Sequence, residues 1–313
     1  MAEACRFYGL LYLDAAASGG VNLVRGSDAV DTYLRCAATC HASFAGQGES
    51  FALVTNDAAG VRARLAALGC APIEAVEIAF RPVVPRGARF YAAHFKLDVL
   101  RAFARGGLGA RVGLVDIDCV LLRPLVLTDA LSVYDISEQV HPEHGAAGVR
   151  RDLARVAGIA VEAPRWFGGE FIAGPSARFR PLAAAIEACL PRYVAALDDL
   201  HHVGDEMVVS AALHRALADG LAIDDVGASS QVVRWWSGRT YHRQVPLGAA
   251  GACALLHLPA DKAFLAARAG RAADATGFLG DYARMVRRKR WPLRLSRISD
   301  RLRGRPDRII AEL

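Results

Sequence analysis

At 313 residues and 33.4 kDa, with 53% hydrophobic and 22% charged residues, the chain has the composition of a globular α/β protein with room for a full core. No stretch reaches the roughly 18 consecutive apolar residues of a membrane span, and the N-terminus lacks the basic-then-apolar pattern of a secretory leader. The net charge of +6 is local: residues 281–313 hold eleven Arg or Lys against four acidic residues, net +7, which leaves the first 280 residues at −1.

Two residue counts sharpen this frame. Seven cysteines, an odd number without framework spacing, predict reduced thiols and a cytoplasmic setting; Cys36, Cys40 and His41 read as one helix face lined by small residues. Of 38 basic residues three are lysines, Lys96, Lys262 and Lys289. Where arginine serves almost every surface position, a retained lysine marks a place that needs a compact point charge.

In chain order, apolar runs alternate with helical patterns: strands at 7–13, 51–55, 75–80 and 112–116, helices near 28–44, 58–68 and 89–105. Such alternation builds a nucleotide-binding type of half sheet. Asp98 and Arg101, three apart on the third helix, read as a pair. Residues 138–164, rich in His, Gly, Arg and Ala, predict a short helix within a mobile excursion. An apolar strand interrupted by Gly168 and Gly169 follows, where backbone can approach a ligand closely. Helices at 178–196 and 205–218 and strands at 231–236 and 253–258 complete the body.

The most informative run is Val112-Gly-Leu-Val-Asp116-Ile-Asp118. If it is one strand, Asp116 and Asp118 leave on the same face, at the carboxyl end where open α/β sheets bind ligands. Flanking apolar residues on both sides make an uncompensated carboxylate pair costly, which points to a divalent cation. The glycines at 106, 107, 109 and 113 precede a strand and so do not form a dinucleotide fingerprint. His141, Glu143 and His144, and the pair His201 and His202, lack zinc-site spacing.

A Lys-bearing helix, Phe95-Lys96-Leu-Asp-Val-Leu-Arg101, ahead of Asp116-Ile-Asp118-Cys-Val-Leu-Leu-Arg-Pro, then Gly168-Gly169-Glu170, Gly204-Asp205-Glu206 and His257-Leu-Pro-Ala-Asp-Lys262, resembles the nucleotide-sugar glycosyltransferases of the GT-A fold. The pattern is most similar to family 8, the group of glycogenin and bacterial lipopolysaccharide glucosyl- and galactosyltransferases, with some family 32 character. It spans about residues 90–265. Glu206 replaces the usual Gln, and the His-to-Lys spacing is one residue short. The resemblance implies a GT-A domain over 1–280, with a nucleotide-binding half to about 125 and an acceptor half to about 280, a mixed central sheet flanked by helices, and a basic amphipathic tail over 281–313.

It further implies a hexosyltransferase that uses a nucleotide diphosphate sugar, UDP-linked, and a carbohydrate or glycolipid acceptor, retains the donor's anomeric configuration, and serves cell-surface polysaccharide or lipopolysaccharide synthesis. Asp116, Asp118 and His257 would hold the metal, an imidazole beside two carboxylates suiting Mn²⁺ better than Mg²⁺. Lys96, Asp116, Gly169 and Lys262 would meet the donor, and Asp205, Glu206 and Glu170 would lie at the transferred sugar. The same residues have plainer readings: an N-cap for Asp205, an arginine partner for Glu170, a satisfied strand-end imidazole for His257.

Trp235 and Trp236 read as core packing ahead of a sugar platform. The tail is either solvated or docks on the anionic inner membrane surface, without nucleic acid as partner, since no recognition motif accompanies its charge. A sugar-phosphate nucleotidyltransferase is the competing enzyme; its basic phosphate loop should follow the first strand, where residues 14–24 contain no Arg or Lys. A noncatalytic carbohydrate-binding protein is the third reading.

Overall fold

The computed structural model describes residues 4–13, 28–271, 274–303 and 309–310. The segment after the first strand, 14–27, on which the nucleotidyltransferase reading turns, lies outside them. The chain runs β1 (Arg6–Leu11), α1 (Ala29–Gly46), β2 (Ser50–Thr55), α2 (Ala58–Ala67), β3 (Ala75–Glu77), a 3₁₀ turn (Tyr91–Phe95), α3 (Lys96–Ala104), β4 (Arg111–Val115), β5 (Cys119–Leu121) and β6 (Leu131–Asp135). Then come α4 (Ser137–His144), α5 (Ala146–Ala157), β7 (Phe167–Pro175), α6 (Phe179–Ala195), α7 (Asp205–Ala218), β8 (Ile223–Asp225), β9 (Val232–Arg234) and β10 (Arg239–Thr240). Finally α8 (Leu247–Ala250), β11 (Leu255–His257), α9 (Lys262–Ala266), α10 (Ala275–Leu302) and β12 (Ile309–Ile310) close the chain.

Seven strands form the central sheet in the order β3-β2-β1-β4-β7-β6-β8. β1 pairs in parallel with β2 on one side and β4 on the other, so the winding reverses between β1 and β4. That reversal opens a crevice at the strands' carboxyl ends. β7 runs antiparallel between β4 and β6, giving the expected mixed sheet. Strands from both predicted halves thus share one sheet, and no division falls near residue 125. Local chemistry sets the entry of the first helices: Asp28 and Asp57 accept the backbone N–H of Asp31 at 2.9 Å and Gly60 at 2.7 Å.

A second sheet, β5-β11-β9, carries its own apolar cluster, in which Val120, Leu122, Trp235, Leu256 and Leu258 pack against Phe278, Tyr282 and Val286 of α10. Three expectations change here. Asp116 and Asp118 do not share a strand: β4 ends at Val115, Asp116 to Asp118 make the turn closed by Cys119 N–H on the Asp116 carbonyl at 3.1 Å, and β5 leaves for the second sheet. The excursion 138–164 is no loose lid, since Val149, Leu153, Val156 and Ala157 of α5 are buried in the main core. The boundary at 280 falls inside α10, whose first half is part of the packed body. Trp235 is fully buried, its indole N–H donated to the Val245 carbonyl at 3.1 Å, as a packing residue should be.

Candidate active site

The turn that carries Asp116 and Asp118 joins the two sheets, and His257 ends β11 directly opposite, paired in register with Cys119. One donor atom from each of Asp116, Asp118 and His257 lies within 4.8 Å of the others. The assignment of oxygens is orderly. Asp116 Oδ1 meets Lys96 Nζ at 2.6 Å while Oδ2 lies 3.9 Å from His257 Nε2. Asp118 Oδ2 meets Lys262 Nζ at 2.6 Å while Oδ1 lies 3.1 Å from His257 Nε2. Each carboxylate therefore gives one oxygen to a lysine and turns the other toward the imidazole.

Behind His257, its Nδ1 lies 3.3 Å from Glu170 Oε1. Such a carboxylate on the far nitrogen fixes the ring plane and the tautomer of a metal-binding histidine. Glu170 is itself fully buried in a two-point pair with Arg234, at 2.6 and 2.5 Å, and the same guanidinium meets Glu206 Oε1 at 2.6 Å. Glu206 also accepts from Trp166 Nε1 at 3.0 Å and the Gly169 amide at 3.2 Å. Glu170 and Glu206 are thus not open carboxylates at a reacting carbon. Burial raises both, but Arg234 overrides it and holds Glu206 at about 2 and Glu170 well below the usual range.

Asp205 opens α7 without acting as a side-chain cap; its Oδ2 sits 3.3 Å from Lys96 Nζ. Lys96 additionally donates to the Gly169 carbonyl at 2.9 Å, so its three N–H groups face Asp116, Asp205 and Gly169. Its role in this structure is to brace the turn. Gly169 leaves no room for a side chain: a Cβ there would fall 2.4 Å from Asp205 Oδ2 and 3.1 Å from Lys96 Nζ. Lys262 differs, with N–H groups on Asp118 and the Pro259 carbonyl (3.0 Å) and its ammonium 5.9 Å from the centre of the Tyr33 ring.

Charges at the site do not cancel. Asp116, Asp118, Glu170, Asp205 and Glu206 face Lys96, Lys262 and Arg234, an excess of two negative charges when His257 is neutral. Burial lowers the His257 pKa, yet Asp118 and Glu170 outweigh it and push the ring up to about 9. Burial likewise raises Asp118, but Lys262 and His257 take it well below the carboxylate range, whereas burial and Asp118 together raise Asp116 in spite of Lys96. A proton on His257 and a divalent cation at its Nε2 are alternative ways to offset the same excess. The oxygen–oxygen–nitrogen donor set fits Mn²⁺ or a related ion. Asp116, its side chain 26% exposed, forms the mouth.

Sequence reasoning brought Lys96, Asp116, Asp118, Gly169, Glu170, Asp205, Glu206, His257 and Lys262 forward, and these nine meet in one contact network. Arg234, to which the sequence assigns no role of its own, organises half of that network. Its signal was indirect: a lone arginine in an apolar strand, Val232-Val-Arg234-Trp-Trp, needs a buried acid.

Fold and site together define a mixed α/β protein whose sheet reversal carries a cation-type donor set flanked by lysines. No protein-family model and no curated protein sequence matches the chain. Among solved structures, the apo structure of the WbbM bifunctional glycosyltransferase is similar, with a TM-score of 0.47 and 11% identity over 82% of this chain and 46% of that one. The match thus takes in less than half of that protein's length.

Proposed function

We propose that the chain is a metal-dependent glycosyltransferase of the GT-A type, moving a hexose from a nucleotide diphosphate sugar to a carbohydrate or glycolipid acceptor. The observation that carries this reading is the convergence of Asp116, Asp118 and His257 at the crevice between β4 and β1, with the remaining carboxylate oxygens taken by Lys96 and Lys262. A bound divalent cation would supply Lewis-acid stabilisation of a diphosphate leaving group. The chain's own residues supply the rest. Lys262 keeps Asp118 ionised, and its positive charge would offset the charge that grows on the departing phosphate. Lys96 fixes Asp116 and Asp205 in one geometry, and Glu170 orients His257.

Asp205, whose Oδ2 lies 3.3 Å from Lys96 Nζ, would meet a hydroxyl of the transferred sugar. UDP as the nucleotide, Mn²⁺ as the ion, retention at the anomeric carbon and a place in cell-surface polysaccharide synthesis on the cytoplasmic side follow from the resemblance to family 8. Product analysis with a panel of nucleotide sugars and Mn²⁺ tests the reading. Free nucleoside diphosphate, abolished by Asp118→Asn and by His257→Ala, is the expected result; pyrophosphate would indicate a nucleotidyltransferase, and no turnover a binding protein.

A further inference from the structure

Helix α10 has two opposed faces. Phe278, Tyr282 and Val286 are buried in the second core, and Lys289, on the same side, donates to Ser237 Oγ at 3.0 Å and to Asp261. Tyr282 OH also donates to Asp261, at 2.7 Å. At 100° per residue these four positions fall within one sector of about 80°. The half-turn opposite carries Arg287, Arg288, Trp291, Ile298 and Leu302, every one exposed, within about 100° of each other. Trp291 is 69%, Ile298 58% and Leu302 84% exposed, three of the six large apolar residues that stand out from the described surface. Beyond α10 the chain returns to the body, where Ile309–Ile310 pairs with Arg239–Thr240. Over its described residues the basic segment is therefore no free tail, and the exposed stripe of α10 is held against the body by the buried face.

A helix with an indole and aliphatic side chains aligned among arginines, in a segment of net +7, matches the chemistry of an anionic bilayer surface: apolar groups enter the acyl boundary while guanidiniums meet phosphates. We infer that the outward face of α10 docks the protein flat on an anionic phospholipid membrane. A second copy of the chain would meet like charges on this stripe, and nucleic acid would leave the aligned Trp291, Ile298 and Leu302 without a partner. The docking is independent of glycosyl transfer and stands or falls without it. Because α10 grips Asp261, next to Lys262, the membrane-bound helix also sets the orientation of the site relative to the bilayer.

The test is flotation of the full chain with phosphatidylglycerol–phosphatidylcholine vesicles, beside Trp291→Glu/Ile298→Glu and Arg287→Glu/Arg288→Glu variants. Unchanged melting temperatures would establish that these exposed changes leave the fold intact. Wild-type protein should float with anionic vesicles and not with pure phosphatidylcholine, and each variant should bind at least about thirtyfold more weakly. Equal flotation of wild type and variants, flotation with neutral vesicles alone, or no flotation at all would overturn the proposal. So would binding to duplex DNA in preference to vesicles, or a dimer in sedimentation that Trp291→Glu dissolves.

Discussion

Both ends of the candidate site set carboxylates against cations of the chain, and they reach opposite outcomes. At the Arg234 end, one guanidinium with five donors spans Glu170 and Glu206, and an indole and an amide N–H bind the oxygens of Glu206 as well. At the Asp116/Asp118 end, each lysine ammonium takes a single oxygen of an aspartate and leaves its partner oxygen facing His257. Arginine closes a carboxylate pair; lysine leaves it half open. The comparison teaches why buried acids alone do not mark chemistry. What matters is which oxygens remain after the cations of the chain have been served.

The contrast is broken most directly by removing the cation at each end. Arg234→Met would leave two buried glutamates without their shared guanidinium and cost about 3–5 kcal/mol in urea unfolding. Lys262→Met leaves Asp118 with His257 and should cost about 1–3 kcal/mol. Equal losses would mean that the two ends are not built differently. A link between the ends is expected through Glu170: Glu170→Gln should lower Mn²⁺ affinity by about 10–100-fold in calorimetric titration, although Glu170 lies behind His257. An unchanged affinity would leave Glu170 as a partner of Arg234 alone.

The pH dependence follows with a smaller effect. Protonation of His257 in the folded chain, with its pKa raised to about 9 by Asp118 and Glu170 against the opposing effect of burial, stabilises the metal-free protein. That contribution is fully present below the ordinary histidine value of about 6.5 and is lost as pH rises through about 9. Metal-free Tm should fall over this interval, and His257→Gln should flatten the fall. Over the same interval Mn²⁺ displaces a proton, so its affinity should rise by up to about tenfold per pH unit. The smallest effect is expected from Lys289→Met. Lys289 is part-exposed and Tyr282 still holds Asp261, so a loss of less than about 1 kcal/mol is expected in the same unfolding assay.

Much of this was legible in the sequence because period and chemistry agreed. Alternating runs placed β1, β2, β4, α1, α2 and α7 close to their observed bounds, and lysine scarcity singled out ammonium groups that all prove to bind acids: Lys96 on Asp116, Lys262 on Asp118 and Lys289 on Asp261. The third of these lay in a segment read as a surface tail, because eleven cations mask the apolar spacing of Phe278, Tyr282 and Val286. The turn between β4 and β5 was hidden for a related reason. Apolar residues on both sides of Asp116-Ile-Asp118 do not reveal where one sheet hands the chain to another; Val115 and Cys119 look alike in sequence and pair with different partners. Pairing of Glu170 and Glu206 with Arg234 spans separations of 64 and 28 residues and has no local signature.

The central claim is that Asp116, Asp118 and His257 form one divalent-cation site. Electron paramagnetic resonance titration of Mn²⁺ into the full chain tests it without reference to turnover, and Asp116→Asn is the variant of choice because Asp116 stands at the exposed mouth. The account predicts one tightly bound ion per chain in the wild type, affinity lowered by more than about tenfold in the variant, and retention of the same melting temperature within a few degrees. An ion bound equally well by Asp116→Asn, or no bound ion in the wild type near neutral pH, would contradict it.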